Sequence, residues 1–319
     1  MSTRALWAVP ASIALIGIYY MGICFTQKES CRQAEISDIQ GILASSLRSG
    51  LDSNPMVLSG LASIVDVGSG DKPRSVFLVR KDEGYEDYSY CAEEAPVVPG
   101  GIMQAATLTY SLEQGVVYPE RLTPTCQSIL PELAKSCDYR SFLDDFDEYF
   151  GVSEACYLPQ YTYQGPVRSG VLSISDGSGV ILTQEQILRF FGVLANGGVR
   201  PACRYYPKKR LFSENVVAEM VSLLRQDHSE GTGLMSNDSP VPVAGKTGSG
   251  ILDKGWLPGY GRIEEKGDVR VSPFAGFFPA DNPRYVLCVT AYYKDGAEHQ
   301  VPARSAGDII NGIKNEGLL

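Results

Sequence analysis

Histidine is almost missing from this chain. Its 319 residues include two, His228 and His299. Neither is spaced from a cysteine as a metal ligand would be, which excludes a zinc site of the usual Cys/His kind. No metal and no cofactor are expected. There is no CxxC pair, although eight cysteines are scattered singly as Cys24, Cys31, Cys91, Cys126, Cys137, Cys156, Cys203 and Cys288. They read as buried thiols or, if the body is exported, as a source of one or more disulfides. Cys126, Cys137 and Cys156 form the closest group, and connectivity is not readable from spacing. Long basic runs are absent too. With 28 Lys and Arg against 37 Asp and Glu, the net charge is -9 and the pI about 4.9. That balance excludes a nucleic-acid surface and a polybasic membrane patch. Repeats and low-complexity linkers are also lacking. What remains is 44% hydrophobic and 20% charged, enough for a large globular core.

One apolar run stands out. Ala5 to Phe25 is apolar apart from Ser12 and two tyrosines, long enough at helical rise to cross a bilayer. It lacks a small-x-small cleavage site, so it reads as an uncleaved anchor rather than a signal peptide. The expected organisation is a tip at 1–4, a transmembrane anchor at 5–25, a short juxtamembrane helical segment at 26–59 and one domain at 60–319.

Ile36 to Leu51 has helical apolar spacing. Leu61–Asp66 and Ser75–Arg80 read as a hairpin about the turn Gly68-Ser69-Gly70-Asp71-Lys72-Pro73. An acidic, Tyr-rich loop follows, from Asp82 to Glu94. Helices are expected from about Ile102 to Gln114, from Tyr139 to Tyr149, after a capping box at Thr183 and Gln186, and after Ser213. Phe274–Phe278 and Arg284–Tyr292 read as strands, and Ala303–Ile313 as a last helix. Asp253–Gly267, carrying Trp256 and Tyr260, reads either as a contact surface, since aromatics are favoured at interfaces, or as a solvated insertion, the preferred reading. The order gives an α+β fold: one antiparallel sheet drawn from both ends of the chain, with a helical insert.

The chemistry concentrates in Val243-Ala244-Gly245-Lys246-Thr247-Gly248-Ser249-Gly250. A strand edge with Lys246, Thr247 and Ser249 offers one cation and two hydroxyls to a carboxylate. Gly248 and Gly250, lacking Cβ, would let a ligand backbone approach. The K-T-G triplet resembles an element of penicillin-recognising serine enzymes. Gly231-Thr232-Gly233, the run Phe274 to Tyr285, the helix leading to Ala195-Asn196-Gly197-Gly198 and the hairpin from Val65 to Val79 follow the same family's order. Together they resemble the transpeptidase domain of class B penicillin-binding proteins over roughly residues 60 to 315. The resemblance implies the β-lactamase/transpeptidase-like fold and a ligand-binding set of Lys246, Thr247, Gly248 and Ser249. It also implies a body outside the cytoplasmic membrane.

The resemblance breaks at one place. The family carries S-x-x-K after Pro-Gly, the lysine activating the serine. Here Pro99-Gly100 is followed by Gly101-Ile102-Met103-Gln104, so the serine position is Gly101 and the lysine position Gln104. Ser69-Gly70-Asp71-Lys72 matches the string but falls in a hairpin turn. The family's S-x-N motif finds only Cys126-Gln127-Ser128, Thr125-Cys126-Gln127 or Ser136-Cys137-Asp138. The pedestal usual in class B is reduced to residues 26–59. The expected function is a membrane-anchored pseudo-transpeptidase that scaffolds an envelope protein complex or binds a peptidoglycan stem peptide without covalent chemistry. Two alternatives stand: an active acyltransferase with a relocated nucleophile (Ser128, Cys126 or Ser69), and a β-lactam or muropeptide sensor.

Overall fold

A computed structural model describes residues 35, 37–116, 146, 148–150, 177, 179–202, 207–230, 239, 241–294 and 300–319. The expected anchor at 5–25 lies outside these residues, as do most of the expected 139–149 helix, Gly231-Thr232-Gly233 and six of the eight cysteines. No helix among the described residues is long and apolar enough to cross a membrane. Two compact units are distinguished, residues 1–41 and 42–319. In the first, residues 37–41 are helical.

The second unit begins with helix α1 (42–53). Then come β1 (Val57–Asp66), β2 (Arg74–Lys81), β3 (Gly84–Asp87), a 3-10 turn at Ser89–Glu94 and helix α2 (Gly101–Glu113). Helix α3 (Gln184–Ala195), β4 (Val199–Arg200), β5 (Lys209–Arg210) and helix α4 (Glu214–Glu230) follow. The chain ends in β6 (Ala244–Thr247), β7 (Gly250–Leu252), β8 (Trp256–Leu257), β9 (Gly261–Arg262), α5 (Ile263–Lys266), β10 (Val269–Phe278), β11 (Tyr285–Tyr293) and α6 (Val301–Asn315). The main sheet is antiparallel in the order β3-β2-β1-β11-β10-β6, with β7 also on β10. Its strands come from both ends of the chain, as the motif order requires.

Strand β11 explains the layering. All nine of its residues are buried, which a strand achieves only when both sheet faces are covered. Val286, Cys288 and Tyr292 alternate into a core shared with α2, α3 and α4. On the other face, α1 and α6 pack together: a Cβ built on Gly312 of α6 would come 2.7 Å from Ile42, and one on Gly60 of β1 would come 3.1 Å from Leu47. Leu43, Leu47 and Leu51 of α1 are buried. The folded body therefore begins before residue 60. Arg80 fixes the end of α1 by donating to the carbonyls of Leu51, Asn54 and Val57, satisfying acceptors that a helix terminus leaves open.

Helix α3 starts as its sequence predicts. Thr183 N donates to Gln186 Oε1 (2.8 Å), and Gln186 N donates to Thr183 Oγ1 (3.3 Å). This reciprocal pair is the capping box. Thr183→Ala should lower stability by about 1 kcal/mol in urea unfolding. Within α3, Gln184 is buried and donates to Leu61 O and Thr290 Oγ1, tying the helix to β1 and β11. Ser213 accepts from Val217 N through its carbonyl, while its hydroxyl donates to Glu113 of α2.

Three expectations are corrected. The acidic loop at 82–94 contains the edge strand β3 and the 3-10 turn. Strand β10 starts at Val269 and runs through Pro273. The 253–267 segment is docked rather than solvated: Leu257 and Ile263 are fully buried, although Trp256 stays half exposed.

Candidate functional site

Lys246 and Thr247 close strand β6, where Lys246 stands opposite Ala275 and Thr247 opposite Phe274 of β10. Gly250 of β7 stands opposite Val271. The register is thus continuous from β6 into β7, and the ladder lapses only beside Pro273, which has no N–H to give. There Gly248 N donates to Pro273 O (2.8 Å), and Ser272 Oγ donates to Gly248 O (3.2 Å). Lys246 and Thr247 are half-buried and Ser249 is exposed. The three side chains of the expected carboxylate shelf therefore share one strand end.

Helix α2 approaches that end with its N-terminus. Gly100, its N-cap, has φ 49° and ψ −128°, a left-handed conformation that glycine adopts without a Cβ penalty. Ile102 N donates to Pro99 O and Met103 N to Gly100 O. Gly101 is the first helical residue. A Cβ built on Gly101 would lie 3.7 Å from Lys246 Nζ and 2.8 Å from Thr247 O. The structure thus brings Gly101 and Lys246 together, 145 positions apart in sequence. Gln104 lies one turn further along α2 and is half-buried.

At these glycines the space that a Cβ would take is filled by the chain itself. A Cβ on Gly248 would overlap Pro99 O, and one on Gly250 would overlap the Val98 side chain. A Cβ on Gly100 would overlap Ser249 O. Segments 98–101 and 247–250 therefore pack backbone against backbone. This close approach is what holds Gly101 against Lys246, and spacing alone did not reveal it.

The other sequence candidates fall elsewhere. Ser69 Oγ donates to Asp66 O (2.9 Å) and accepts from Asp71 N (3.1 Å), while Lys72 Nζ sits 3.1 Å from Glu93. Ser69 and Lys72 serve a tight turn with Gly68 and Gly70 at positive φ, not a nucleophile pair. Cys126, Gln127, Ser128, Ser136 and Cys137 lie outside the described residues. Cys91 and Cys288 are free and buried, and complete burial pushes the Cys288 thiol far up from its usual value. Among the described residues, no group of His, Cys, Asp and Glu could hold a metal ion.

The family described as the penicillin binding protein transpeptidase domain matches residues 134–311, more than half of the chain. Penicillin-binding protein 2a of Streptococcus pneumoniae, from strains D39 and R6, is 26% identical over 152 residues. That match covers 40% of this chain and 20% of the relative, so it spans about a fifth of the relative's length. Among solved structures, the transpeptidase domain of the FtsI4 D,D-transpeptidase from Legionella pneumophila superposes with a TM-score of 0.66 at 18% identity. It covers 88% of this chain and 97% of that one. The transpeptidase domain of penicillin-binding protein 3 from Burkholderia pseudomallei also gives 0.66 at 18% identity, covering 88% and 94%. At such identities the structural likeness speaks for the fold, which is the α+β transpeptidase-like one. By the match over residues 134–311, the chain belongs to the penicillin-binding protein transpeptidase domain family.

Proposed function

We propose that this protein is a membrane-anchored pseudo-transpeptidase of the bacterial envelope, with its body outside the cytoplasmic membrane. In this reading it takes part in peptidoglycan biology by scaffolding an envelope complex or by holding a stem peptide without forming a bond. One observation carries the reading. The residue that opens α2 beside Lys246, where the resembling family places its serine, is Gly101. Glycine has no atom to attack an acyl carbon. Gln104 replaces the lysine that would serve as base, and an amide does not take up a proton near neutral pH. Lys246, Thr247 and Ser249 retain the means to hold a carboxylate by charge and hydroxyl.

Fluorescent penicillin, resolved before and after denaturation, tests this directly. The expected result is no label that survives denaturation. Any reversible signal should weaken at least about tenfold in Lys246→Ala, because a charge-assisted contact is lost. A denaturation-resistant label on the wild-type chain would support the acyltransferase reading with a relocated nucleophile instead.

A further inference from the structure

Gly192 opens the last turn of helix α3. A glycine there lowers helix stability relative to alanine. Packing does not require it. A Cβ built at this position would meet only Val286 Cγ2, at 4.0 Å, an ordinary contact. Its φ is not positive, so the backbone does not require it either. What the missing side chain does is leave space. Gly192 opens onto a half-enclosed cavity of about 130 Å³ between α3 and the β1–β2 turn.

Much of the wall is apolar. Val67, Pro73, Tyr149, Leu188, Val193 and Pro201 line it. The charged groups at the cavity are largely matched. Asp66 pairs with Arg74 at 2.6 Å and Glu185 with Arg189 at 3.0 Å. Glu148 pairs with Lys209 at 2.6 Å and approaches Arg200 at 3.8 Å. Asp71 adds one carboxylate on the turn. The lining therefore combines apolar side chains with hydrogen-bonding groups, several of them held in ion pairs. The lining shares no residue with the contact between Gly101 and Lys246.

We propose that this cavity is a second ligand site, for a small uncharged molecule with a ring-sized apolar body and a hydrogen-bonding group at the mouth. An apolar cavity on the order of 150 Å³ accepts a benzene-sized ring, which sets the size. The matched ion pairs set the class, because a charged ligand would have to displace a partner already in place. Pockets with apolar walls and a few polar groups at the opening are where small ligands bind.

Benzyl alcohol is a suitable probe, titrated into the full-length protein in detergent and followed by ligand-observed NMR. Subtracting a variant with a filled cavity cancels partition into detergent. The expected result is saturable binding on the order of 1 mM for so small a ligand. Gly192→Leu, which projects a side chain into the cavity from a helix that tolerates it, should weaken binding at least about tenfold. Its melting temperature should be unchanged or higher. Val67→Phe, filling the cavity from the opposite wall, should do the same and decides the matter if the first variant misfolds. Benzylammonium and benzoate should each bind at least about fivefold more weakly than the alcohol. Wild-type affinity in the filled variants, failure to saturate below about 20 mM, or equal or tighter binding of either charged analogue would overturn the assignment.

Discussion

Gly248→Ala should destabilise the fold by roughly 3 kcal/mol or more, an unusually large effect for one added methyl. The added Cβ overlaps Pro99 O, and both sides of that contact are backbone. A flexible side chain could swing away, but here a strand or a helix N-terminus must shift. Gly248 N is already committed to Pro273 O and Gly248 O to Ser272 Oγ, so the strand side resists movement. For a body of this size the loss corresponds to a fall in melting temperature of roughly 6–12 °C. Gly192→Ala is the internal comparison. Its Cβ meets nothing closer than 4.0 Å, so the substitution should leave stability unchanged or raise it by about 0.5–1 kcal/mol. Denaturant unfolding of the two variants side by side checks both. Equal stabilities would mean that segments 98–101 and 247–250 do not pack as described.

The second large effect is a gain. Gly101→Ser alone should stay without acylation, since a protonated hydroxyl is a poor nucleophile. Adding Gln104→Lys should raise the rate of penicillin acylation over the single variant by at least about 10²-fold, the usual contribution of a positioned base. The Cβ introduced by Gly101→Ser would sit 2.8 Å from Thr247 O, a backbone atom, so strand β6 or the start of α2 must shift. That adjustment should cost about 1–2 kcal/mol of stability. Acylation kinetics on denaturing gels distinguish the outcomes. A double variant no faster than the single one would show that these two positions do not form the reactive corner of the fold.

Much of the frame was legible because it rests on local pattern. β1, β2 and β11 follow from apolar runs bounded by turns, and the start of α3 from Thr183 and Gln186 meeting across one turn. Strand β3 was hidden because Gly84-Tyr85-Glu86-Asp87 lies at the sheet edge, where acidic side chains face water and leave no alternation. The first half of β10 was hidden by Pro273, a residue that argues against an interior strand until one sees that only one ladder bond is lost. The 253–267 segment looked polar because docking depends on two isolated residues, Leu257 and Ile263. For the site, the resemblance was enough to name Gly101 and Lys246 separately, as the family's serine position and as part of its carboxylate shelf. Their distance and the backbone contact that sets it were not legible, since both depend on glycines whose partners are far away in sequence.

The most direct measurement is the intact mass of the full-length protein after prolonged exposure to benzylpenicillin at millimolar concentration. The account predicts the unmodified mass throughout, with the Gly101→Ser, Gln104→Lys variant gaining one acyl group under the same conditions. A stoichiometric adduct on the wild-type chain, located by peptide mapping to any side chain beside Lys246, would contradict it.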